Sequence, residues 1–412
     1  MAPLREESLL SGLRVLDLSD ESGFLAGKVL GDLGADVVKL EPPGGDRAGR
    51  RAPFLHGQAA PERSLAWLAT NTSKRGITLN LATEPGRDLF RRLVVGADVV
   101  LETAVPGALE RCGIGWEDCA VHHERLVWCS ITPFGRTGPR AHWRAGDLVA
   151  VAMGGNMKVT GDPDRSPVRC SMPTAYYHAA PEAALGILMA LHRREDTGRG
   201  QLVDVSLQET QLQTLLSAPG QHALHPRPQR RTGARMGRTR EIWSARDGWI
   251  SFGLRGGPAR IPNLVATVAW MDEHAMAPDW LRDYDWPGFS HLTVSDDEIA
   301  RLEEAFGAFF ATRTMRELYE QALMRRILLA PCNDAREILE HPQLRSRDLF
   351  VTLEYPELGA SIEHPDFFAR TADRAIGVRR RAPRIGEHNA EIYGELGLGS
   401  EDLAKLAEEG IV

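Results

Sequence analysis

The chain has 412 residues, enough to bury a large core and more than one core usually holds, so two domains are expected. A net charge of −7, with arginine strongly preferred over lysine, supplies no overall field for nucleic acid but leaves local arginine clusters for a phosphate-bearing small molecule. Residues 1–7 carry charge with no apolar run of signal-peptide length after them, and no later run approaches a membrane span, so the cytoplasm is the expected location.

Residues 13–46 read as one βαβ unit. Val15, Leu16 and Leu18 form a short strand run around Asp17, Ala26, Val29, Leu30 and Leu33 recur at helical spacing, and Gly34 closes the helix. Val37, Val38 and Leu40 give the next strand, ended by the Pro42-Pro43-Gly44-Gly45 turn. Lys39 therefore sits near the carboxyl end of a strand, where open parallel sheets bind ligands. No GxGxxG lies between the first strand and its helix, which argues against a nicotinamide or flavin enzyme.

A polar loop is expected over 45–64, a strand over 77–81, a helix over 84–95 and strands over 97–101 and 126–131. A nearly continuous apolar run predicts a buried helix over 180–192, followed by a strand at 203–207 and a helix at 208–217. An Arg-rich, Pro-containing linker is read over 222–240, and a strand pair around Ile242 and Ile250 opens a second domain. The helix-like spacing of Ile392, Leu396, Leu403 and Leu406 suggests that the last stretch packs back on the first domain. The alternation of strand and helix makes the fold class α/β with a parallel sheet. Cys112, Cys119, Cys129, Cys170 and Cys332 are odd in number and lack zinc-site spacing, so they are expected to be reduced, mostly buried thiols with no metal.

Six blocks in order, GDLGADVVKLEPPGGD, NTSKRGITLNL, PGALERCGI, SITPFGRTGP, DTGRGQLVDVSL and RAPRIGEHNAEIYGELG, resemble the class III CoA-transferases of the formyl-CoA transferase and carnitine CoA-transferase type. The resemblance implies a Rossmann-like large domain built from both chain ends (residues 1–220 and 330–412). A smaller inserted α+β domain (221–329) and an interlocked dimer are implied with it. It places CoA, a substrate rather than a resident cofactor, against Lys39, Lys74, Arg75 and Arg111, with Thr103 and Ala104 beside the adenine.

The family works through an aspartate that attacks the acyl-CoA thioester, and counting back from Thr197-Gly198-Arg199-Gly200 puts Tyr176 in its place. The racemase branch of the family pairs a His with that aspartate, and here Gly146 precedes Asp147 instead. His178 is the neighbouring candidate for a general base, against the blander reading of a hydrogen-bonded, partly buried histidine. The resemblance then implies the aspartate-lacking subunit of a heterodimeric CoA-transferase, partnered by a homologous aspartate-bearing subunit. Such a pair moves CoA from a donor such as succinyl-CoA to a carboxylic acid, for instance an aryl-substituted succinate. An autonomous acyl-CoA lyase, hydratase or isomerase using Tyr176, Tyr177 or His178, and a non-catalytic CoA-binding homologue, are the competing readings.

Overall fold

Residues 8–224, 230–372 and 376–412 are described by a computed structural model. Its first unit starts where the apolar pattern says: β1 (Arg14–Asp17), α1 (Phe24–Asp32) and β2 (Asp36–Glu41) form the βαβ unit, and Gly34 takes a positive φ just past the helix. Next come β3 (Lys74–Thr78), α2 (Glu84–Val95), β4 (Val99–Glu102) and β5 (Val127–Thr132). Thr83 caps α2 by accepting from the Gly86 N–H, and α2 buries Leu89, Phe90, Leu93 and Val94 on one face. Two further helices, α3 (Asp147–Met153) and α4 (Thr174–Thr197), precede β6 (Leu202–Ser206).

The six strands are parallel in the order β3-β2-β1-β4-β5-β6, so the order reverses between β1 and β4. That reversal opens a crevice beyond the strand ends, the usual ligand position in such sheets. Both sheet faces are covered. Val15, Val37, Val99 and Val127 pack with α1 and α4, while Leu16, Val38, Val100 and Trp128 pack with α2 and with Ile392, Tyr393 and Ile411 from the last stretch. The late residues also close the outer strand: His388 N donates to Gly76 O (2.9 Å), Thr78 N to Asn389 Oδ1 (2.9 Å) and Asn80 N to Ile411 O (2.8 Å).

Contact clustering divides the chain into one unit of residues 1–157, 169–227 and 345–412 and a second of 158–168 and 228–344. In the second, β7 (Ile242–Ser244), β8 (Trp249–Phe252) and β9 (Leu329–Pro331) form an antiparallel sheet in the order β9-β8-β7, over a core that includes Trp243, Phe252, Phe306 and Phe310. The pairing of β9 with β8 keeps residues 329–331 in this unit, so the chain returns to the first at Arg345 rather than at residue 330.

Other expectations shift as well. The strand expected at 77–81 is β3 at Lys74–Thr78, and the helix expected at 180–192 begins at Thr174 and runs through Pro181. The linker region carries a helix at Ala218–Leu224 and a short hairpin, Arg235–Met236 with Thr239–Arg240, with residues 225–229 outside the description. Cys119 and Cys129 are buried, but Cys112, Cys170 and Cys332 lie on turns and loops and are exposed, which corrects the expectation of mostly buried thiols. Among the described residues no helix is long and apolar enough to cross a membrane, and no cluster of His, Cys, Asp or Glu could hold a metal ion.

Candidate functional site

Beneath the crevice lies a fully buried charge cluster. Lys74 Nζ donates to Asp17 Oδ2 (2.7 Å), Phe24 O (2.8 Å) and Asn71 Oδ1 (2.8 Å), which uses all three of its protons. Lys39 Nζ donates to Ser19 O at 2.5 Å and stands 3.9 Å from Asp17 Oδ1. The Phe24 ring lies within 5.1 Å of Lys39 Nζ and 5.4 Å of Lys74 Nζ. Burial pushes the Lys74 ammonium down to about 8. Burial alone would raise the Asp17 carboxyl, but the two ammonium groups outweigh it and hold it below the usual range. Arg75 is also engaged internally, by Asp36 (2.5 Å) and Glu391 (2.6 Å).

The expected phosphate contacts therefore separate into two sets. Lys39, Lys74 and Arg75 are buried and paired within the fold, because strand residues at 74 and 75 point into the protein where loop residues would reach solvent. Thr103, Ala104 and Arg111 lie on the segment after β4, at the reversal point. Thr103 Oγ1 accepts from Asp20 N at 2.8 Å, joining the two loops, and Ala104 N donates to Glu102 Oε2 at 2.5 Å. Arg111 is exposed and has no ion-pair partner among the described residues.

Next to this end of the sheet is a cavity of about 520 Å³ between the loops after β1 and β2 and the first turn of α4. Phe24, Trp67, Leu148 and Tyr177 supply apolar and aromatic wall, and Glu21, Arg51, Asp147 and Arg169 supply charge. Phe24 and Trp67 meet edge to face at 5.3 Å, and Arg51 is ion-paired with Glu21.

Tyr176 projects into the cavity from α4. Its hydroxyl accepts from Asp147 N (3.1 Å), while Asp147 Oδ1 accepts from Ala175 N (2.8 Å), a reciprocal clasp between the starts of α3 and α4. Gly146 belongs to this fit, since a Cβ there would stand 3.3 Å from the Tyr176 hydroxyl. Burial raises the Tyr176 phenol, and the carboxylates of Glu21, Asp20 and Asp147 add to that, so the group is a protonated phenol at neutral pH. His178 is not brought into the cavity: its Nδ1 lies 3.3 Å from Gln211 Nε2, which leaves it the role of a hydrogen-bonded structural histidine. Sequence patterns did not single out Glu21, Arg51 or Arg169 for this cavity, because isolated charges in three separate loops carry no periodic signal.

One further buried carboxyl flanks the site. Glu41, at the end of β2, is 2% exposed; Oε2 accepts from Asp46 N (2.8 Å) and Oε1 has no partner among the described residues. Burial pushes it from 4.5 up to about 7. The folded state thus binds a proton that the unfolded chain has released, so this group's stability contribution is full below pH 4.5 and is lost as pH rises through about 7. Glu41→Gln should raise the melting temperature relative to wild type at pH 8 and change it little at pH 4.5. Equal shifts at both pH values in thermal scans would contradict this.

The whole-chain comparisons agree with this geometry. The model of CoA-transferase family III matches residues 10–389. The chain belongs to that family. A similar curated protein is succinyl-CoA:(R)-benzylsuccinate CoA-transferase subunit BbsE of Thauera aromatica, 34% identical over 408 residues and covering 98% of both chains. Formyl-CoA:oxalate CoA-transferase of Streptomyces avermitilis is 33% identical over 98% of this chain and 99% of its own length. Among solved structures, a CAIB/BAIF family protein from Brucella suis superimposes with a TM-score of 0.81 at 26% identity, covering 94% of this chain and 99% of that one. The names carried by these family III relatives support CoA transfer as the chemistry of the fold.

Proposed function

We propose that this chain is the non-nucleophilic subunit of a heterodimeric class III CoA-transferase, which moves CoA from an acyl-CoA such as succinyl-CoA to a carboxylic acid. The observation that carries the reading is Tyr176, a buried phenol clasped by Asp147 N at the position where the resemblance calls for an attacking aspartate. A phenol of ordinary pKa near 10 is about one part in a thousand ionised at neutral pH, and burial lowers that fraction further. Its acyl adduct would be an ester without the activation of an anhydride, so the return attack by CoA would be slow.

The reactive carboxylate then belongs to a homologous subunit. That the similar Thauera aromatica protein is itself named a subunit favours this arrangement. So do exposed apolar side chains: Leu185 and Met189 share one face of α4, and Leu216 is 81% exposed. An interlocked mate would cover such surface. CoA is a substrate in this reading, with Thr103, Ala104 and Arg111 at the reversal point as the side available to its nucleotide.

Purified alone, the chain should exchange no CoA between succinyl-CoA and free organic acids. Co-expressed with an aspartate-bearing homologue, it should form a stable one-to-one pair that does. A hydroxylamine-sensitive acyl-enzyme on the isolated chain would overturn the proposal.

A further inference from the structure

A cavity with no attacking group still has the means to hold a ligand. The Tyr176 oxygen already accepts from Asp147 N, and no acceptor among the described residues takes the phenolic proton. That proton is free to be donated to a ligand, and the raised pKa keeps it in place. Arg169, on the same cavity wall, donates only to the neighbouring carbonyls of Cys170 (2.9 Å) and Ser171 (3.2 Å) and has no carboxylate partner among the described residues. Arg51, in contrast, is neutralised by Glu21. The cavity therefore offers one neutral donor and one uncompensated cation to an anion, opposite a wall of Phe24, Trp67 and Leu148. Its volume of about 520 Å³ suits a small organic molecule.

We infer that this cavity is a reversible, non-covalent binding site for a carboxylic acid bearing an aromatic group, its carboxylate held by the Tyr176 hydroxyl and the Arg169 guanidinium and its ring against Phe24 and Trp67. The inference rests on the reading of the chain as non-nucleophilic, because an attacking residue here would form a covalent adduct. Glu21 and Asp147 on the opposite rim disfavour a second carboxylate on the ligand, so a monoacid binds better than succinate.

The test is calorimetric titration of the full chain, alone and in its co-expressed pair, with 3-phenylpropionate and with succinate. Saturable binding of 3-phenylpropionate, at least about tenfold tighter than succinate and weakened about tenfold or more in both Tyr176→Phe and Arg169→Gln, is expected, since each removes one hydrogen bond to a charged group. Arg169 is exposed, so its variant reports on binding even where Tyr176→Phe disturbs the clasp. Absence of saturable binding at millimolar concentration, succinate binding as tightly, or unchanged affinity in Arg169→Gln would overturn the inference. None of these readouts depends on acyl transfer, so failure here is distinct from discovery of an acyl-enzyme, which would remove the functional reading itself.

Discussion

Lys74→Met should destabilise the protein by about 3–5 kcal/mol, the cost of leaving one member of a buried ion pair without its mate. Both Lys74 and Asp17 are fully buried, and the substitution also removes the donor from Phe24 O and Asn71 Oδ1. Lys39, at 3.9 Å from Asp17, retains some attraction and sets the effect toward the lower end of that range. Arg111→Ala should do the reverse: no measurable change in urea denaturation, but a loss of CoA affinity worth about 1.5–3 kcal/mol if the nucleotide lies at the reversal point. A Lys74→Met protein as stable as wild type that has lost CoA binding would instead make Lys74 a ligand contact.

Gly27→Ala is the second large effect, and its sign is decided by two opposing magnitudes. Alanine gains up to about 1 kcal/mol over glycine in a helix interior. Against this, its Cβ would stand 2.3 Å from Asp17 Oδ2 and 3.0 Å from Lys74 Nζ, neither of which has room to move without breaking the buried pair. Overpacking of this kind costs about 1–3 kcal/mol, and the weakened ion pair adds to it. A net loss of about 2 kcal/mol is expected by urea denaturation. Gly394→Ala, in the helix Asn389–Glu395 with nothing within 4 Å of the added methyl, should be neutral or slightly stabilising. If the two variants behaved alike, close approach of α1 to the charge cluster would not be what requires glycine at 27.

The βαβ start was legible because its apolar runs are short, dense and punctuated by Gly34 and the Pro-Gly turn, and the helix over 84–95 matched at both ends because Thr83 and Gly96 mark them. The family was legible because six ordered blocks cover the chain. Lys74 and Arg75 were misread as phosphate contacts because Lys, Arg and Gly carry little strand signal; only Asp17, 57 residues earlier, and Asp36, 39 residues earlier, make their burial tolerable. That pairing is a property of the folded sheet. Tyr176 was identified by counting, but its clasp with Asp147 was not, since it joins the ends of two helices that local patterns cannot orient. The early start of α4 was hidden by Pro181, which reads as a break. The helix continues through it with only the missing N–H to accommodate, and most of its packing comes from buried alanines.

Closure of β3 by the last stretch has a consequence for synthesis. Thr78 and Asn389 are 311 positions apart, and contacts so distant form only after a large loop has been ordered. During translation the outer strand of the big sheet therefore waits, unprotected, while most of the other unit's residues, 228–344, emerge and can collapse on themselves. The nascent large unit is thus the slow, association-prone partner in biogenesis, and the cell's demand for chaperone assistance falls on it.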